Sequence, residues 1–482
     1  MTETNISRTR LLKWFIKEEL RVFSSLFGVK RLAMFPIVIL SFSLVLGVSI
    51  PLFSFDVAVA GGVYHLIIIL FGLQTGKIGF EARDTIENVM GGGSRILFSS
   101  RTLPISEKVL VSVFLIKDAI FYSVFMLLPI VVGGIVGLAF TPFSTAGLGF
   151  TISTTSILSL YLTTIVSFVF GVSFGFVLTT VNVKKHSNLG VIIAFVSSLV
   201  VALMIFEPKI STLSDMGIVF WVVLLGGLSI LLSTIGVYQF RVASTSTEDK
   251  DYSDMYTRIL DLTGLDSNAG NLMLKSVTDI RRSAGGFWKV VFSTATIVVT
   301  SYLLIAVMQK FFYTSGYIEI AVASLFGLIA YPVYTVLYRY DSLNTYSHYP
   351  VSEEEVYKSK VYLYIVITAV LGVAYYTPIA YSNTGFAYFV QGLLVIFGMF
   401  AYQLGLLTWF VKDKPMEFLF DGMLFSGYSI AVLVFMIPSV IVGLYGALLS
   451  GTMVTMIILA NVAAGVVGLL LATSKVVGYW EE

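Results

Sequence analysis

Cysteine is missing altogether, which excludes disulfides, thiolate-bound metals and thiol catalysis, although it does not name a compartment. Charge is almost as scarce: 12% of residues are Asp, Glu, Lys or Arg, about half the share usual in a soluble domain. The net balance of +2 leaves no basic surplus for a nucleic-acid partner. Histidine occurs only as His65, His186 and His348, without HExxH spacing or a carboxylate cluster to complete a metal site. Neither a serine nucleophile with a nearby base nor a catalytic carboxylate pair stands out. The nearest string to a phosphate-cradling loop, "GLQTGKIG", has the wrong glycine spacing and an isoleucine where the hydroxyl should follow Lys77. No catalytic, cofactor-binding or metal-binding residue is therefore expected, and the chain is not expected to be an enzyme.

What is present is apolar: 57% of residues are hydrophobic and the mean hydropathy is +0.91. Crossing a bilayer takes about 20 consecutive apolar residues in a helix, and about twelve such runs follow one another. They are expected at 33–55, 58–75, 112–140, 153–181, 188–206, 217–239, 288–308, 317–337, 361–381, 385–411, 422–446 and 452–473. The runs are continuous instead of alternating, which excludes a β-barrel. With both termini inside, every Lys and Arg except Lys209 and Lys310 falls on the inner side, as the positive-inside rule requires. The first 30 residues lack a small-residue cleavage site after an apolar run, so the first span is expected to stay as an anchor.

Two polar islands interrupt the apolar pattern, "SSRTLPISEKV" at 99–109 and "YSHYPVSEEEV" at 346–356. Each follows the second span of a six-span block. The expected fold is all-α, a polytopic membrane protein of two parallel six-helix repeats. The halves are 1–240 and 288–482, joined by the polar cytoplasmic segment 241–287. Each repeat is preceded by an amphipathic segment expected to lie in the membrane interface. In "LLKWFIKEELRVFSSLF" the apolar set is Leu12, Phe15, Ile16, Leu20, Phe23 and Phe27, with Lys13, Lys17 and Arg21 on another face. In "NLMLKSVTDIRRSAGGFW" Met273, Val277 and Ile280 form a shorter stripe.

In each island a helix can start after the proline, Pro104 or Pro350, with Ser106 or Ser352 capping its first free N–H groups. Ser352 and Glu355 fit a reciprocal capping box, whereas Val109 stands at that place in the first copy. Glu107 in one copy, and Glu353 and Glu354 in the other, suit the positive end of the helix dipole. A short helix running from the cytoplasm toward the next span is expected from each. A capped acidic helix is by itself compatible with a plain connecting loop, but two copies at matching places favour a docking role for a symmetric partner.

This order, an interfacial helix, two spans, a cytoplasmic segment ending in "LPISEKVLVSVFLIKD" or "YPVSEEEVYKSKVYLY", then four spans, resembles the permeases of type-2 ATP-binding-cassette exporters. That family commonly carries Pro-(Ile/Val)-Ser followed by a basic residue about ten positions on. Lys360 matches this in the second copy. In the first, Phe114 holds the equivalent place and Lys117 comes three residues later. The resemblance implies that ATP and Mg are bound by a separate ATPase subunit, a dimer resting on coupling helices within 101–108 and 347–358. Its contacts would be Arg101, Pro104, Ser106, Glu107 and Lys108, and Pro350, Ser352, Glu353, Glu354, Glu355 and Lys358, supported by Glu81, Arg83 and Lys360. The implied location is a prokaryotic plasma membrane with both termini cytoplasmic. Membrane lipid is the other expected partner.

Two other functions stay open at this point: an ion-coupled secondary transporter and a membrane scaffold that transports nothing. Ion coupling needs titratable groups at membrane depth. Lys117, Asp118 and Asp421 fall near inner ends of spans, and Asp56, Glu207 and Glu319 near outer ends. Deeper polar residues are His65, Gln391, Gln403 and Asn461, of which His65, Gln391 and Gln403 are the candidates for a substrate pathway.

Overall fold

The computed structural model describes residues 7–27, 29–52, 57–76, 105–139, 154–180, 220–239, 268–282, 318–339, 351–381, 386–411, 422–445 and 449–478, with isolated positions at 287–298 and at Tyr346. Among these residues all regular structure is helical and no strand occurs. The chain divides into two compact units, Met1–Ser246 and Thr247–Glu482.

The first unit contains α1 (Arg8–Phe27), α2 (Val29–Leu52), α3 (Val57–Thr75), α4 (Glu107–Ala139), α5 (Thr154–Thr180) and α6 (Gly226–Gln239). Its main pairings are α2 with α4, α3 with α5, and α5 with α6, while α1 packs on α4. The second unit contains α7 (Asn268–Arg282), α8 (Ile318–Phe326), α9 (Ala330–Arg339), α10 (Glu353–Tyr381), α11 (Phe386–Phe410), α12 (Gly422–Tyr445) and α13 (Gly451–Gly478). There α11 pairs with α13, α8 with α11 and α12, and α7 packs on α10.

Six helices among the described residues are long and apolar enough to cross a bilayer: Glu107–Ala139, Ile157–Leu178, Val222–Gln239, Glu354–Thr377, Phe389–Phe410 and Gly451–Thr473. This is a polytopic α-helical membrane protein. Shorter apolar stretches lie at Met34–Leu44, Tyr64–Thr75, Ala323–Tyr338 and Gly427–Gly443. The expected run at 188–206 lies outside the described residues, and that at 288–308 is described only at isolated positions; the described residues of the remaining ten runs are helical but for the closing turn at Val411.

Close helix pairing rests on small residues, because lipid offers apolar side chains no incentive to leave it. A Cβ on Gly72 of α3 would collide with the carbonyl of Phe168 on α5. The same holds for Gly405 of α11 against the backbone of Gly468 on α13. Away from that seam α13 exposes Met453, Met456, Leu459, Val466 and Leu470, the pattern of a lipid-facing surface.

Proline shapes two irregular turns. In α4 a wide π turn, Ser123–Leu127, immediately precedes Pro129, whose missing N–H and bulky ring disfavour regular helix there. The carbonyl of Ser123 accepts the Leu128 N–H and also the Tyr161 hydroxyl of α5 at 3.1 Å. Between α8 and α9 the tight 3-10 turn Gly327–Ile329 stands before Pro332 in the same way.

Candidate docking and coupling segments

Ser106 is extended (φ −67°, ψ 139°) and its Oγ accepts the Val109 N–H at 3.4 Å, so it caps α4 with Glu107 in the first turn. Ser352 caps α10 more completely: its Oγ accepts the Glu355 N–H at 3.3 Å, while Glu355 Oε2 accepts the Ser352 N–H at 3.2 Å. The reciprocal box expected in the second copy is formed, and the first has only the serine half. One expectation is corrected. The capped segment is not a separate short helix, since α4 and α10 run without a break from the cap through the apolar span. Nothing after either cap stops the helix: no glycine or proline intervenes before Pro129 in α4, or before Gly372 in α10.

Each capped end is braced by an amphipathic helix. Leu11 and Phe15 of α1 are buried against Leu110, Val111 and Phe114 of α4, with the Phe15 and Phe114 rings edge to face at 5.7 Å. In the second unit Leu272 of α7 packs with Val356 of α10 and with Tyr346, a residue of the second island. Lys275 Nζ donates to the Tyr346 hydroxyl at 2.9 Å and pairs with Asp279 at 3.2 Å. On α1 the contact with α4 is made by Leu11 and Phe15 with half-buried Leu12 packed beside them; Ile16 and Leu20 are half-buried, and the side chains of Phe23 and Phe27 lie outside the described ones. On α7 Ile280 is buried as expected, together with Leu272 and Leu274, and Met273 and Val277 are half-buried.

Behind each cap sits a lysine with only 1% of its surface exposed. Lys117 Nζ lies 2.8 Å from Glu19 Oε2 on α1 and 2.6 Å from Asp118 Oδ1, over the Phe114 ring at 4.0 Å. Lys360 Nζ donates to the Leu337 carbonyl at 3.2 Å and lies 4.6 Å from the centre of the Tyr338 ring. Leu337 is in the last turn of α9, where unsatisfied carbonyls and the helix dipole favour a cation. The three-residue difference in spacing from the proline is close to one turn of helix. Both lysines are buried two to three turns into their capped helices, but against different partners: Lys117 meets carboxylates on α1 and on its own helix, and Lys360 meets the carbonyl end of α9. Glu19, Asp118 and Tyr346 were not among the expected site residues. Glu19 stands two turns from Leu12, on the apolar side of α1, and that was the available signal for the first.

Of the remaining expected contacts, Lys108 is exposed, with Nζ 4.1 Å from the centre of the Tyr238 ring on α6. Glu354 and Lys358 form an exposed i,i+4 pair at 2.5 Å. Glu353 opens α10. Glu81, Arg83, Arg101, Pro104 and Pro350 lie outside the described residues.

Of the candidate pathway residues, His65 belongs to the first unit and Gln391 and Gln403 to the second. His65, in the first unit, is fully buried between α3 and α5 with Nδ1 2.9 Å from Ser167 Oγ. Gln403 is fully buried in the second unit and accepts the Tyr428 hydroxyl at 3.0 Å. Gln391 is half-buried twelve residues earlier on the same helix, α11, or about 18 Å along its axis. Asn461 donates to Ser439 Oγ at 2.9 Å, tying α13 to α12.

Comparison with known protein families, curated proteins and solved structures finds no match to this chain.

Proposed function

We propose that the chain is the transmembrane permease subunit of an ATP-binding-cassette exporter. It would move substrate out of the cytoplasm or inner leaflet on ATP hydrolysed by a separate ATPase subunit. The observation that carries this reading is a recurring local arrangement. A Pro-(Ile/Val)-Ser-Glu string leads into a serine-capped, span-length helix, an amphipathic helix braces that end, and a buried lysine lies two to three turns in.

On this reading, twelve spans form two parallel six-span halves, with both termini in the cytoplasm of a prokaryotic cell. The ATPase dimer, holding ATP and Mg, rests on 101–108 and 347–358. The cap residues belong to the same helices as the apolar segments, so a push on either docking surface tilts a whole span instead of being absorbed in a joint. The bracing helices α1 and α7 move with α4 and α10, because apolar contacts hold each pair and, in the first unit, so does the Lys117–Glu19 ion pair.

The test is to purify the tagged full chain from native membranes in mild detergent and identify what accompanies it. The same purification follows with Glu107, Glu353 and Glu354 changed to Lys. Recovery of an ATP-binding-cassette ATPase with the parent chain, and its loss from the folded variant, is the expected result. A folded parent chain that brings down no such ATPase overturns the reading and turns attention to His65 and ion coupling. A partner retained regardless of nucleotide would favour a scaffold.

A further inference from the structure

On α1 the cations Arg10, Lys13, Lys17 and Arg21 are all exposed. At 100° per residue they fall within an arc of about 80° and extend along about 16 Å of helix. None of them forms an ion pair among the described residues. Arg10 lies over the Trp14 ring at 5.3 Å. The acids of the helix are Glu18, half-buried beside the row, and Glu19, which pairs with Lys117.

Three observations orient this row. Leu11 and Phe15 are buried against α4, which fixes the rotation of α1 about its axis. Beside them, and next to Leu12, which packs against the same cluster, the half-buried Ile16 and Leu20 continue an apolar row, and Leu20 lies about 20° from Lys13 around the helix. Only Gly28 separates α1 from α2, whose apolar stretch begins at Met34. An apolar row flanked by cations, at the entrance of a membrane helix, is the arrangement in which aliphatic stems lie along acyl chains while charged heads reach the phosphate level.

We infer that the Arg10–Lys13–Lys17–Arg21 row is a binding surface for anionic phospholipid headgroups of the leaflet that α2 enters. The surface anchors α1 electrostatically. Because α1 is clamped to the capped end of α4, the charge of the leaflet bears on the position of that end. The inference needs only that the chain is a membrane protein, and it stands or falls separately from the exporter reading. On α7 of the second unit, Lys275 is engaged by Asp279 and Tyr346.

The test uses the full chain in a non-ionic detergent, titrated with phosphatidylglycerol or phosphatidylcholine, with bound lipids counted by native mass spectrometry. The parent chain should retain phosphatidylglycerol in preference, and high salt should abolish the preference. Changing Lys13, Lys17 and Arg21 together to Gln should weaken phosphatidylglycerol binding by about tenfold or more. The charge-preserving set Lys13→Arg, Lys17→Arg and Arg21→Lys should bind as the parent does, and so should Arg281→Gln on α7. Equal retention of the two lipids by the parent chain, or undiminished phosphatidylglycerol binding by the Gln variant, overturns the inference. If the Gln variant keeps the lipid but loses a co-purifying protein, the row is a protein contact instead. Should that variant fail to fold, the salt titration of the parent chain decides by itself.

Discussion

Lys117 of α4 and Glu19 of α1 meet at 2.8 Å, with the lysine side chain almost wholly removed from solvent and the carboxylate four-fifths removed. Removing one member of such a pair strands the other charge in a poor solvent, at a cost of about 3–5 kcal/mol. Lys117→Met should therefore lower the thermal midpoint of the full chain in detergent sharply, and adding Glu19→Gln should recover part of the loss. A single variant as stable as the parent would show that the pair does not clamp α1.

The two caps differ in completeness, and so should their mutants. Ser352→Ala breaks a reciprocal box and should cost about 1 kcal/mol, with faster amide exchange over the first turn of α10. Ser106→Ala, at a cap without a reciprocal partner, should cost less. Equal exchange in both variants would contradict the difference in cap geometry.

Helix pairing through glycine predicts a steep size dependence. Gly405→Leu should prevent α11 and α13 from closing and yield little monodisperse protein. At Gly226 a Cβ would meet nothing within 4 Å, so Gly226→Ala should leave yield and elution unchanged. Size-exclusion profiles of the two variants check this, and a well-behaved Gly405→Leu would refute the close approach.

Tyr428→Phe removes the hydroxyl that Gln403 accepts inside the second unit. Buried hydrogen bonds between membrane helices contribute about 0.6–2 kcal/mol. A drop in thermal stability of that order is expected, and no change would mean that Gln403 finds another donor.

Lys360→Met should separate docking from coupling if the exporter reading holds. The ATPase should still accompany the chain, since the Lys360 side chain is buried within the second unit and would support a docked subunit only from behind. Substrate-dependent stimulation of ATP hydrolysis should fall, and Lys360→Arg should restore it in part. Loss of the ATPase itself from the Met variant would instead make Lys360 part of the docking surface.

Much of the helical layout was legible in the linear pattern, because burying a backbone in lipid forces apolar runs of a set length to be helices. The capping box at Ser352 was legible for a related reason: its partners are three residues apart and meet whenever a helix starts there. Lys117 was less so. Measured from Pro104 it looks displaced, and its burial beside Glu19, 98 positions away, depends on how α1 packs on α4.

Composition and local residue order determined that the chain is a helical membrane protein, that it carries no cysteine chemistry, and where helices such as α4 and α10 can start. Those properties follow from local solvation and from contacts within one or two turns. Tertiary structure alone decided which apolar face of α1 is buried on α4, and that Glu19 and Asp118 share the charge of Lys117. It also decided that Lys360 finds the end of α9, and that Gln403 meets Tyr428. Each of these joins residues more than twenty positions apart, apart from the adjacent Asp118, and the rotation and approach of whole helices bring them together.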